Sequence, residues 1–66
     1  MLADNIKKHR KKLGLTQEAL ARKAEVSYNT IIKLESKGII DPRMETLKKL
    51  ASALNVSIDK LVKTQE

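Results

Sequence analysis

Apolar residues recur at three- and four-residue spacing along the whole chain, and residues suited to starting or stopping a helix interrupt them at short intervals. No stretch alternates apolar with polar residues as a half-buried strand would, so the chain reads as a bundle of short helices. Helix one spans about Leu2 to Leu13, with Leu2, Ile6 and Leu13 on one inward stripe, and stops at Gly14, a residue suited to a left-handed stop. Helix two opens with Thr16 as N-cap and runs to about Ala24, turning Leu20, Ala21 and Ala24 inward. Helix three is capped by Ser27 and runs to about Ser36, with Ile31 and Leu34 one turn apart and Glu35 beside them. Its other face carries Tyr28, Asn29, Ile32 and Lys33. A loop through Lys37, Gly38, Ile39 and Ile40 leads to Asp41 and Pro42, which suit the cap and first position of helix four. That helix reads Met44, Leu47, Leu50, Ala51 and Leu54 on one stripe and ends at Asn55, and Ser57 caps a last turn or two with Ile58, Leu61 and Val62.

Sixty-six residues make one domain at most, with a packed part over about 2–62 and a polar tail at 63–66. A domain of this size buries only about 60% of the surface its unfolded chain exposes, so its stability is modest. There is no cysteine, and the single His9 cannot build a zinc site alone, so neither disulfide nor metal staples the fold and no cofactor is expected. No uninterrupted apolar stretch exceeds three residues, as at Ala19, Leu20 and Ala21, and the expected setting is soluble and cytoplasmic.

A net charge of +6 and a pI near 9.9 raise the local concentration of a polyanion. The run Lys7, Lys8, His9, Arg10, Lys11, Lys12 leaves too narrow an apolar stripe for a helix lying on a membrane. Tyr28 is the only aromatic residue, which removes the stacking platforms that single strands and RNA loops require. Double-stranded DNA remains as the partner. No small-molecule ligand is evident.

The most informative stretch is Leu15 to Glu35, LTQEALARKAEVSYNTIIKLE, which gives two short helices joined by a turn of about three residues, with small Ala21 and Ala24 on the first. With Gly14-Leu15-Thr16-Gln17, Leu20-Ala21, Val26-Ser27, Thr30-Ile31, Leu34-Glu35, Glu45-Thr46-Leu47, Leu50-Ala51, Ala53-Leu54 and Val56-Ser57, the chain resembles the helix-turn-helix regulators of the phage repressor and Cro type, also called the xenobiotic-response-element type, from Ile6 to Leu61. It departs from them twice. Glu25 stands where the turn between helices two and three usually has Gly, and Lys37 intervenes before Gly38 after helix three.

The resemblance implies an all-α, five-helix, lambda-repressor-like DNA-binding domain whose helices two and three form the helix-turn-helix, acting as a transcriptional regulator on a pseudopalindromic operator. Helix three then lies in the major groove, where Tyr28, Asn29, Ile32 and Lys33 meet base edges. The residue types suit that task, since Asn bridges adenine N6 and N7, Lys donates to guanine and an apolar group meets a thymine methyl. Phosphate contacts are implied for Gln17, Thr16, Ser27, Arg10, Lys8 and Lys11, and Arg43 approaches the backbone or the minor groove. The resemblance also pairs Arg10 with Glu35, fixing helix three while offering the guanidinium edge to a phosphate. Two copies of the chain are expected on one operator as a homodimer. Ile39, Ile40 and Ile58, with no obvious place in the core of one copy, are the expected interface.

Two rivals share the sequence. One is the antitoxin of a toxin pair, which uses the same domain as a phage regulator or a restriction-modification controller; the other is a protein-docking module of the same fold, which Tyr28 and Ile32 would suit as an apolar surface but Lys33, Gln17 and the net charge weigh against. An enzyme is not expected, because His9 and the carboxylates form no grouping of nucleophile, base and orienter, and no Gly-rich phosphate loop is present.

Overall fold

The computed structural model describes residues 2–39 and 41–62, which form α1 (Leu2–Lys12), α2 (Gln17–Ala24), α3 (Tyr28–Glu35), α4 (Met44–Leu54) and α5 (Ile58–Val62). Among the described residues there is no strand. The starts of α2, α3 and α5 are set by single hydroxyl groups: the backbone N–H groups of Ala19, Thr30 and Lys60 donate to the side chains of Thr16, Ser27 and Ser57 at 3.0, 3.1 and 3.2 Å.

The stops share one geometry. Gly14, Glu25, Lys37 and Asn55 all take the left-handed conformation, with φ of 70, 59, 68 and 61°. In each case the next residue's N–H reaches back to a carbonyl of the last turn: Leu15 to Arg10, Val26 to Ala21, Gly38 to Lys33 and Val56 to Ala51, at 2.7 to 3.1 Å. Leu15, Val26 and Val56 then pack against the core, so three of the four stops are also hydrophobic latches. Glu25 therefore holds the turn conformation that glycine usually supplies. After α3 the left-handed residue is Lys37, and Gly38 follows it.

Fully buried Ile6, Leu20, Ile31, Leu34, Leu50 and Leu61 draw one core from all five helices. Ala21, Ala24, Ala51 and Ala53 allow α2 and α4 to approach closely. α2 packs against both α3 and α4, and α1 lies across α3 and α5.

Four expectations need correction. Leu13 lies beyond the end of α1 in the turn to Gly14 and is 47% exposed, because the chain has already left the helix there. Met44, at the first position of α4, is 57% exposed; the inward stripe begins at Leu47. Asp41 and Pro42 do not open α4. Pro42 instead lines an open apolar groove with Leu2, Ile39, Leu47 and Val62, after a bend at Asp41, and Arg43, itself extended, occupies the cap position with no side-chain cap bond. Finally, Ile39 and Ile58 do have a place in the single-copy core, since both are half-buried against it. Ile40 lies outside the described residues.

Candidate DNA-binding face

The face begins with the polar device that orients α3. Glu35, at the end of that helix, is buried, and its carboxylate accepts three hydrogen bonds: from Arg10 Nε at 2.6 Å, from Arg10 Nη2 at 3.0 Å and from Gln17 Nε2 at 3.0 Å. The two from Arg10 form a forked pair, the strong geometry for guanidinium and carboxylate. Arg10 Nη1 donates to the carbonyl of Leu15 at 2.8 Å, so the same side chain also fixes the turn between α1 and α2. Three segments are thus tied to one carboxylate: α1 through Arg10, the start of α2 through Gln17, and the end of α3. The Arg10 side chain keeps 12% of its surface exposed against 2% for Glu35, so the guanidinium has an outward edge while the carboxylate has none.

With its inner side held by Ile31, Leu34 and Glu35, α3 turns Tyr28, Asn29 and Lys33 fully outward and leaves Ile32 half-buried between them. These four side chains share the uncovered face of one helix, two turns long. Ser27, next to this face, is exposed, and its hydroxyl caps α3 while lying 2.7 Å from that of Thr30. Thr16 is likewise exposed and engaged as the cap of α2. The N-terminus of α2 sits beside Arg10 and Glu35, bringing its unpaired backbone N–H groups to the same side as Gln17. Arg43 is exposed at the start of α4.

The basic run of α1 divides between two sides of the helix. At about 100° per residue, Lys7 and Lys11 sit roughly 60° and 100° round from Arg10, whereas Lys8 and Lys12 sit roughly 160° and 200° from it. Arg10 reaches α3, and Asn5, buried on the opposite flank, donates to the carbonyl of Leu61 in α5 at 2.8 Å. Lys7 and Lys11 are therefore on the side of the Arg10 edge. Lys8, His9 and Lys12 are on the side of α5. His9 is held below the usual imidazole value of 6.5, first by partial burial and then by the charges of Lys12, Lys8 and Lys60.

The carbonyl of Leu15 as a partner of Arg10 was not expected from the sequence; it depends on the turn at Gly14, whose left-handed conformation points that carbonyl back at α1. The signal for the split of the lysine run was present in the helical spacing, but it became usable only once Arg10 and Asn5 fixed which neighbour lies on which side.

No helix among the described residues is long and apolar enough to cross a membrane. A helix-turn-helix family model matches residues 6–61, which includes every helix and the whole orienting device. An HTH-type transcriptional regulator of Methanothermobacter thermautotrophicus, described as uncharacterized, is 49% identical over 49 residues, covering 74% of this chain and 70% of that protein. A second, from Archaeoglobus fulgidus and described in the same words, is 41% identical over 56 residues, covering 85% of this chain and 79% of its own. Among solved structures, a chain of the SinR protein/SinI protein complex superposes with a TM-score of 0.91 at 30% identity, over 96% of this chain and 61% of that one. With two short helices crossing at a three-residue turn, three more closing the core behind them and a family match spanning nearly all of it, the chain belongs to the helix-turn-helix family of the phage repressor and Cro type.

Proposed function

We propose that this chain binds double-stranded DNA sequence-specifically as a transcriptional regulator, placing α3 in the major groove with Tyr28, Asn29, Ile32 and Lys33 toward base edges. The observation that carries this reading is the pairing of an uncovered α3 face with a buried three-bond anchor behind it: Glu35 ties the helix to α1 and α2 while Tyr28, Asn29 and Lys33 stay exposed and Ile32 is half-buried between them. A surface left merely solvated needs no such anchor. Gln17, Thr16, the first N–H groups of α2, Ser27, the outer edge of Arg10 and Lys11 supply phosphate contacts around that helix, with Arg43 at its flank. Such a protein works where the genome is, in the cytoplasm or nucleoid.

One α3 reads only a few base pairs, too little to be specific in a genome, so two copies occupy one pseudopalindromic site with half-sites about 34 Å apart. The exposed parts of Ile39 and Ile58, together with Ile40, are the proposed contact between copies.

Selection of bound duplexes from a random pool tests both parts, since it returns the half-site sequence and its spacing. Enrichment of a symmetric pair of half-sites about one DNA turn apart is the expected result. Failure to enrich any sequence at low or moderate salt would overturn the reading and leave the outer face of α3 as a protein-docking surface.

A further inference from the structure

Lys8, His9 and Lys12 of α1 and Lys60 of α5 occupy one edge of the molecule, on the far side of α1 from α3. Their placement follows from the fold. Asn5 and His9 are one turn apart on α1, and Asn5 is hydrogen-bonded to the carbonyl of Leu61, the residue next to Lys60. Lys8 and Lys12 flank that stripe and are exposed, as is Lys60. Among the described residues the one ion pair within 4.0 Å is Arg10 with Glu35, so none of these three lysines is neutralised by a neighbour. The His9 pKa is lowered first by partial burial and then by Lys12 and Lys8 from its own helix and Lys60 from α5, which places all three lysines around one ring.

We infer that this α1/α5 edge is a docking surface for an acidic, Asp- or Glu-rich segment of a protein partner, one that can engage while α3 lies on DNA. Three exposed cations that form no ion pair among the described residues, two of them one turn apart on α1 and the third on the packed helix α5, present the spaced positive points that a run of carboxylates complements. A second copy of this chain does not fit, because its eight acidic residues are dispersed and no two are adjacent. A duplex lying along α3 meets α1 on the side of Arg10, Lys7 and Lys11, about 100° of helix arc from Lys12, with Lys8 at the border between the two sides. The surface and the DNA-binding reading are separable, since the docking step needs no duplex.

The test is an NMR titration of the intact chain with a ten-residue polyglutamate peptide, first alone and then with an excess of duplex. Saturable shifts centred on Lys8, His9, Lys12 and Lys60, with His9 ring signals moving toward the protonated form, are expected in both arms. Replacing both distal lysines, Lys12→Gln with Lys60→Gln, should weaken the peptide roughly three- to tenfold, as the loss of two exposed charge contacts implies. The same variant should keep its fold, read by circular dichroism, and its duplex affinity within about threefold. Shifts centred on Lys7, Lys11 or α3, unchanged peptide affinity in the double variant, or displacement of the peptide by duplex would each overturn the assignment, the last by showing that this edge belongs to the DNA footprint. Failure of the chain to bind duplex at all would leave the peptide result standing, so the two readings fail separately.

Discussion

At the scale of single residues, Glu35 and Lys33 mark the division between support and readout on α3. Glu35 is buried and accepts three hydrogen bonds, so Glu35→Ala strands the Arg10 guanidinium among groups that no longer balance it. The expected cost is about 2 kcal/mol or more, above what an exposed ion pair can contribute. Thermal melts check this, and a variant that melts with the parent would reduce the network to a surface contact. Lys33 has no such role, because it is exposed and the helix does not depend on it. Lys33→Ala should leave the melting temperature in place and relax discrimination at one base position by about 1–3 kcal/mol; equal losses on selected and random duplexes would remove Lys33 from base readout. Lys11→Ala, by contrast, should weaken all sequences alike and flatten the salt dependence. His9 gives a pH signature. Its folded-state pKa is depressed, so the unfolded chain takes up the proton more readily, and the contribution of His9 to stability is complete above about 6.5 and is lost as pH falls from there through the folded-state value. Melting curves between pH 7.5 and 5 should decline, each pH bracketed by about half a unit, and His9→Gln should remove part of the decline; an identical pH profile in that variant would exclude His9 as its source.

At the scale of elements, the helices are short and their ends carry much of the design. α2 and α3 have eight residues each, too few to persist alone, so hydroxyl caps at one end and left-handed latches at the other set their limits before packing completes them. Two of the four left-handed stops are held by residues that pay a conformational penalty there, Glu25 at φ 59° and Lys37 at φ 68°. Glu25→Gly and Lys37→Gly should therefore each stabilise the domain by about 0.5–1 kcal/mol, after allowing for the greater freedom of glycine in the unfolded chain. Gly14→Ala should do the reverse by about 1 kcal/mol. No atom lies within 4 Å of the added methyl, so that cost is one of backbone conformation alone. In a domain this small each kcal/mol moves the melting temperature by about 4–8 °C, well within calorimetric resolution. A lower melting temperature in Lys37→Gly would mean that the lysine side chain contributes more than its backbone costs.

For the whole molecule, the distribution of charge matters more than its total. The basic residues of α1 divide between the side of the Arg10 edge and the α1/α5 edge, Lys23, Lys48 and Lys49 gather where α2 meets α4, and α3 presents a mixed polar and apolar face. Two copies on one site require a contact that leaves both α3 faces free, and the loop between α3 and α4 and the start of α5 are the surfaces proposed for it. Ile39 and Ile58 are partly committed to the core, so the contact available from them is small and assembly is expected to be completed on DNA. Ile40→Asp should keep the helical content of the parent and abolish cooperative binding to the two-half-site duplex in gel-shift titrations. Retained two-copy binding by that folded variant would move the contact elsewhere.

The sequence by itself determined the helices, because spacing, hydroxyl caps and left-handed stops are local features that neighbouring residues enforce: Thr16, Ser27, Ser57, Gly14 and Asn55 act as expected. The outward set on α3 was legible for the same reason, since Ile31 and Leu34 fix which side is inward. What tertiary structure alone decided was everything that depends on a distant partner. Pro42 was drawn into a groove with Leu2 and Val62, so α4 starts two residues later than its local signals suggest. Ile39 and Ile58 found room against a core assembled from other helices, and Leu13 and Met44 lost theirs by falling just outside a helix or at its first residue. The basic run of α1 was split in two by the neighbours on either side, α3 holding Arg10 and α5 holding Asn5. Local propensity sets where each helix runs, and only the packing of one helix on another sets what its faces meet.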